Sequence, residues 1–181
     1  GPLGQGLSTA VGMAIAETML AAKYNKHNFN LIDNYTYVIA GDGDMMEGIT
    51  SEASSLAGHL KLGKLICMYD DNNITIDGET SLSFSEDVGK RYESYGWQVI
   101  RVDDGNDIIK IEDAIIEGRN CKDKPTLIVM KTIIGYGSPN KQGKEECHGS
   151  PLGKDELYAA KKNLNWYPEE SFYVPDDVLE F

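Results

Sequence analysis

Basic residues are scarce in this chain: 17 Lys and Arg stand against 29 Asp and Glu, for a net charge of −12. The cations that do occur, among them Lys61, Lys64, Lys90, Arg91, Lys122, Lys124, Lys161 and Lys162, are scattered among acids and read as a solvated surface. Such a balance repels nucleic acid and anionic membrane unless basic side chains concentrate in a patch, and none do, so neither partner is expected. Cysteine is scarce as well. Cys67, Cys121 and Cys147 are odd in number and show no metal-ligand spacing, which argues against a disulfide scaffold and for a reducing, cytoplasmic setting. No long apolar run is present: the longest uncharged stretch, residues 1–16, is broken by glycines and a proline and is too short to span a bilayer. No signal peptide is visible, and the chain begins without Met inside an apolar, Gly-rich stretch, as a piece of a longer polypeptide would.

What is there is ordinary globular composition: 41% apolar and 25% charged over 181 residues, enough for one domain with a core. "GPLG" at the start resembles the remnant of a cleaved tag, yet it runs without a seam into a helical pattern with Leu7, Val11, Ala14, Ile15 and Thr18 at helical spacing. Small residues on several faces of that helix (Ala10, Gly12, Ala14, Ala16) predict enclosure by close neighbours. Beyond it the pattern alternates. Strands are predicted at 35–40, 64–71, 97–102 and 125–132. Helices are predicted at 45–60, with Met46, Ile49, Ala53, Leu56 and Leu60 as an apolar stripe, at 83–96, with Ser85 or Asp87 as cap, and at 107–120. Tyr and Met residues in the strands read as core. Alternating strands and helices imply one α/β domain, a parallel sheet flanked by helices on both faces. The segment 133–153, rich in Gly and Pro, is a loop long enough to suspect of function.

The stretch "YVIAGDGDMMEGIT", residues 37–50, has the form of a phosphate-holding turn at the carboxyl end of a strand, with glycines for close approach and a helix after Asp44. Between Lys26 and Lys61, however, there is no Lys or Arg. A divalent metal would supply the missing charge, with Asp42 as a carboxylate ligand and a diphosphate giving further oxygens. "DDNNIT" follows the next strand, so Asn72 and a nearby carbonyl would lie at the same sheet edge; the thirty residues from Asp42 to Asn72 match one crossover. Either turn alone would be an unremarkable polar loop.

GDG followed after about thirty residues by N-N or N-x-I resembles the thiamine diphosphate signature. "GPLGQG", "GDGDMMEGITSEASSLAGHLKLGKLI", "YDDNNITIDG", "RYESYGW", "KTIIGYGSPN" and "HGSPLG" are similar to the transketolase family across nearly the whole chain. The resemblance implies that residues 1–181 are most of the family's amino-terminal, diphosphate-binding domain without its first part, the pyrimidine-binding and carboxyl-terminal domains being absent. It makes "GPLGQG" native sequence. It implies thiamine diphosphate with Mg2+, or Ca2+ or another divalent cation, as cofactors. Asp42, Asn72 and the carbonyl of Ile74 match metal ligands, Gly43 and Asn72 match diphosphate contacts, and Gly1, Pro2 and Leu3 match the segment against the pyrimidine ring. Glu47 matches a cofactor-side position and, with Glu52, a buried acidic cluster at a subunit interface. His148 matches a histidine that touches cofactor and substrate. Ser150, where the family usually has Ala, is a small departure; Asp44 stands where relatives commonly have Cys and carries no implied role. Cys147 beside His148 shows no activating partner and reads as structural. The implied activity is transfer of a two-carbon ketol unit from a ketose phosphate to an aldose phosphate in the pentose phosphate pathway, by a homodimer. The glutamate that activates the cofactor and the grip on substrate phosphate are expected outside this chain, which alone would be inactive. A dihydroxyacetone synthase-like enzyme and a noncatalytic binding module remain open alternatives; a deoxyxylulose phosphate synthase lacks the wording at 131–140 and 148–153.

Overall fold

The computed structural model of the chain describes residues 2–167 and 170–181. Helix α1 (Gln5–Tyr24) follows Gly4, whose φ of 77° is left-handed, and a Cβ there would lie 2.6 Å from the Thr50 hydroxyl, so glycine is required. Its inner face is Leu7, Ala10, Val11, Ala14 and Glu17. The enclosure predicted for this helix is only half met: Gly12 and Ala16 are exposed along with Met13, Met19 and Leu20.

Strand β1 (Thr36–Gly41) leads into a one-turn helix α2 (Asp42–Met46), then α3 (Gly48–His59) and β2 (Leu65–Asp71). The single helix expected over 45–60 is thus broken at Glu47, whose backbone is extended (φ −73°, ψ 137°). The break re-aims the apolar stripe. Ile49, Leu56 and Leu60 face outward, and α3 buries Thr50, Ser54, Ala57 and Gly58 instead. Small residues let α3 approach closely: a Cβ on Gly58 would sit 1.9 Å from the Tyr95 carbonyl oxygen. Of the two buried hydroxyls on this face, that of Ser54 is partnered and that of Thr50, among the described residues, is not. Ser54 donates to the Tyr92 hydroxyl at 3.0 Å, that hydroxyl donates to Met45 Sδ at 3.3 Å, and Trp97 Nε1 donates to the Ser54 carbonyl at 2.8 Å. Tyr92 and Trp97 meet edge-to-face, centroids 5.0 Å apart.

A two-residue hairpin, β3 (Ile74–Thr75) with β4 (Gly78–Glu79), precedes α4 (Val88–Ser94), β5 (Gln98–Val102), α5 (Ile108–Asn120), β6 (Thr126–Lys131), α6 (Lys154–Asn163) and α7 (Asp176–Leu179). Of the two caps considered for α4, Asp87 holds the position, accepting the Lys90 N–H at 3.0 Å. The four long strands form one parallel sheet in the order β1-β2-β6-β5. On one face α1, α3 and α4 cover a core that includes Leu65, Cys67, Leu127 and Val129. The other face holds a smaller core of Ile66, Val102, Ala114 and Ile128 under α5. Cover on that side stops short of β1, where Tyr37, expected in the core, is 44% exposed and Ile39 is 71% exposed. Among the described residues no helix is long and apolar enough to cross a membrane.

Candidate functional site

Parallel strands end at one edge, and the register sets Gly41 opposite Asp70 and Asp71 opposite Lys131. The residues that follow, Asp42, Asn72 and Thr132, therefore gather there. Asp42 and Asn72 are in direct contact: Oδ2 of Asp42 accepts the N–H of Asn72 at 3.2 Å and of Asn73 at 3.0 Å. Asn72 Oδ1 accepts the Ile74 N–H at 2.9 Å, closing the turn, and Asn73 takes the left-handed backbone (φ 62°) that asparagine tolerates.

Asp42 is 4% exposed, and its other oxygen accepts the Tyr69 hydroxyl at 2.6 Å. No Lys or Arg is among these partners. Burial raises the Asp42 carboxyl above the usual carboxylate range, opposed by the Tyr69 and backbone hydrogen bonds. Burial likewise pushes the Tyr69 phenol well up, with the Asp42 bond adding to it. A carboxylate desolvated without a counter-charge is the environment a cation relieves. Among the described residues no three His, Cys, Asp or Glu side chains gather as a metal site. The donors available are one carboxylate, the second lone pair of the Asn72 amide oxygen and main-chain carbonyls, hard oxygens suited to Mg2+ or Ca2+ rather than to a soft metal.

Beside Asp42 opens a cleft of about 980 Å³, lined in part by Leu3, Asp42, Gly43, Glu47, Asn72, Ile74 and His148. A Cβ on Gly41 would meet nothing within 4 Å, so the turn opens onto free space; at Gly43 it would meet Leu3 Cδ1 at 2.9 Å, so glycine lets Leu3 lie over the turn. Pro2 is elsewhere. It lines a second cleft, of about 470 Å³, between α1 and residues 35–38. Gly1 lies outside the described residues. Glu47 and Glu52 are exposed, with no buried acidic cluster around them among the described residues. His148 is exposed at the cleft, next to the half-buried Cys147. The anion-binding helix expected after Asp44 takes a different form: α2 starts at Asp42 itself and lasts five residues, with two acids in its first turn.

Sequence reading missed four structural contributors. Tyr69 was assigned to the core; it is buried there, but its hydroxyl reaches Asp42, a contact that neither strand alternation nor composition signals. Asp44, given no role, accepts the Gly4 N–H at 2.8 Å and the Gly41 N–H at 3.0 Å, tying the start of α1 to the glycine turn. Arg91, counted as solvated, has its side chain only 18% exposed; it donates to the Met45 carbonyl at 2.7 Å and pairs with Glu86 at 3.0 Å. Lys64 likewise departs from that reading, bridging buried Glu17 at 2.6 Å and Asp33 at 2.7 Å.

The family profile described as transketolase, thiamine diphosphate binding domain, matches residues 1–181. A transketolase of Geobacillus stearothermophilus is 57% identical over 178 residues, covering 98% of this chain and 27% of that enzyme. Transketolase 1 of Saccharomyces cerevisiae is 59% identical over 181 residues, covering 99% of this chain and 26% of its own length. A crystal structure of a Pichia stipitis transketolase in complex with sedoheptulose-7-phosphate superimposes with a TM-score of 0.96 at 51% identity, over 99% of this chain and 27% of that one. This chain thus spans about a quarter of the length of these relatives.

Proposed function

Because the chain belongs to the transketolase family, through its thiamine diphosphate binding domain, we propose that it forms the diphosphate and metal end of a cofactor site in a larger enzyme that transfers a two-carbon ketol unit between sugar phosphates. The observation that carries the proposal is Asp42: buried, without a basic partner, and beside a glycine turn open to the cleft. In this reading Asp42, the Asn72 amide oxygen and the Ile74 carbonyl hold Mg2+, or Ca2+ in its place. Gly43 and Asn72 meet the diphosphate, Leu3 faces the cofactor across the turn, and Glu47 stands at the cleft's rim. Pro2 and Gly1 would take their places beside the pyrimidine only in the assembled enzyme. Thiamine diphosphate, when bound, supplies the electron sink that lets a bond between carbons next to a carbonyl break and re-form. The protein's part is orientation, exclusion of water and proton transfer, and His148, an exposed side chain at the mouth, orients or deprotonates substrate hydroxyls.

The apolar side chains left open on α1 and α3, such as Met13, Met19, Ile49 and Leu56, support burial against other domains and a second subunit, in a cytoplasmic homodimer. A substrate of the sedoheptulose 7-phosphate type fits the complex known for the Pichia stipitis relative. The full-length polypeptide, assayed with a ketose phosphate donor and an aldose phosphate acceptor, should transfer the ketol unit. His148→Ala should lower turnover by roughly 10²-fold, the scale of a positioned proton-transfer group. Its melting temperature should barely move, because the side chain is exposed. Parallel loss of stability and turnover would reduce His148 to a structural residue, and absence of transfer by the intact polypeptide would refute the assigned activity.

A further inference from the structure

The segment from Ile133 to Gly153 contains no strand or α-helix, only a short 3-10 turn at Glu145–Cys147, yet it is fastened at its base by one carboxylate. Glu156, in the first turn of α6, accepts the hydroxyl proton of Ser138, the Asn140 N–H at 2.8 Å and the Asn140 side-chain amide at 2.9 Å. Ser138 is fully buried although it sits in a loop. From this clasp the connection runs on. Ser138 Oγ accepts the Lys141 N–H at 3.3 Å, Lys141 Nζ donates to the Leu152 carbonyl at 3.2 Å, and the Lys141 carbonyl accepts the Cys147 thiol at 3.1 Å. Cys147 packs where only glycine fits opposite: a Cβ on Gly135 would lie 2.5 Å from its sulfur. The next residue is His148.

We propose that Glu156 is the positioning residue for His148, holding the loop in the one arrangement that presents the imidazole to the cleft. The inference rests on the reading of His148 given above. Bonds from a carboxylate to three donors are charge-assisted and directional, so they fix Ser138 and Asn140 more firmly than neutral contacts would. They also hold the Glu156 carboxyl down to about 2, through Asn140 first and Ser138 second, so the clasp stays charged at working pH. A carboxylate at a helix start is often no more than a favourable charge near the dipole. Here its oxygens are turned to the loop instead, beside the neutral Asn163 amide of α6, which donates to the Gly137 carbonyl at 3.0 Å.

The experiment uses the full-length polypeptide with thiamine diphosphate and Mg2+, a donor and an acceptor. Glu156→Ala should lower kcat by roughly 10-fold to 10²-fold, as misplacement of a catalytic group does, and raise amide hydrogen exchange across residues 134–148. Glu156→Gln should recover most of both, since its oxygen still takes Ser138 and the Asn140 N–H and the Asn140 amide can rotate to accept from its nitrogen. Asn140→Ala, at an exposed position, should give a smaller change in the same direction and serves if Glu156→Ala does not fold. In a His148→Ala background, Glu156→Ala should cost nothing further. An equal loss in both backgrounds, or full turnover in Glu156→Ala, overturns the inference while leaving His148 in place. Full turnover in His148→Ala alone fails the reading of His148 and the inference with it.

Discussion

The Tyr69 hydroxyl donates to Oδ1 of Asp42 at 2.6 Å, while two backbone N–H groups of the 72–73 turn hold Oδ2. The carboxylate is thereby fixed from two directions before any ligand arrives. Charge-assisted hydrogen bonds of this kind contribute about 1.5–3 kcal/mol. Tyr69→Phe should therefore lower unfolding stability by about 2 kcal/mol. Chemical denaturation at pH 7 checks this; an unchanged midpoint would mean that the pair contributes nothing net.

Gly58 makes a second, purely steric case. Its α-carbon faces the Tyr95 carbonyl so closely that an added Cβ would stand 1.9 Å from the oxygen. Since backbone must move to admit it, Gly58→Ala should destabilise by about 3 kcal/mol despite alanine's better helix propensity. Gly12→Ala, with nothing within 4 Å, should stabilise by about 0.5–1 kcal/mol as an exposed helix position. Thermal melts of the pair decide whether packing or propensity governs these glycines.

Those two glycines mark where the sequence was legible and where it was not. Strand positions, the parallel sheet and the meeting of Asp42 with Asn72 follow from apolar periodicity and crossover length, because both are local rules with one common solution. The orientation of α3 was not readable. Its inner face is Thr50, Ser54, Ala57 and Gly58, a polar and small set in which Ser54 finds its partners in Tyr92 and Trp97, distant in sequence. The extended backbone at Glu47 rotates the following helix away from the stripe that periodicity favoured. Open side chains on β1, α1 and α3 escaped the pattern for another reason: apolar periodicity reports a face suited to burial, not whether this chain covers it. Tyr69 and Glu156 act through partners fixed only in three dimensions, so no spacing betrays them.

Acid should release the loop clasp through Glu156. Its carboxyl is held to about 2 against an ordinary value of 4.5, chiefly by Asn140 and then by Ser138. A depressed folded-state value means stabilisation that is complete above the unfolded value and is lost as pH falls through the folded one. Hydrogen-exchange protection of residues 138–141, corrected for intrinsic rates, should be flat from neutral pH to about 4.5 and decline from there towards pH 2. Glu156→Gln should show no such step. A step in that variant would assign the transition to another carboxylate.

Asp42 is the point on which the functional account turns, and titrating thiamine diphosphate into the full-length polypeptide with and without Mg2+ tests it most directly. The wild-type protein should bind the cofactor far more tightly with Mg2+ present, because no lysine or arginine partners Asp42 to offset the diphosphate's charge. Asp42→Ala and Asp42→Asn, both checked for folding by circular dichroism, should bind weakly and show no response to Mg2+. Unchanged affinity and an intact Mg2+ response in both variants would contradict the account and place the metal elsewhere.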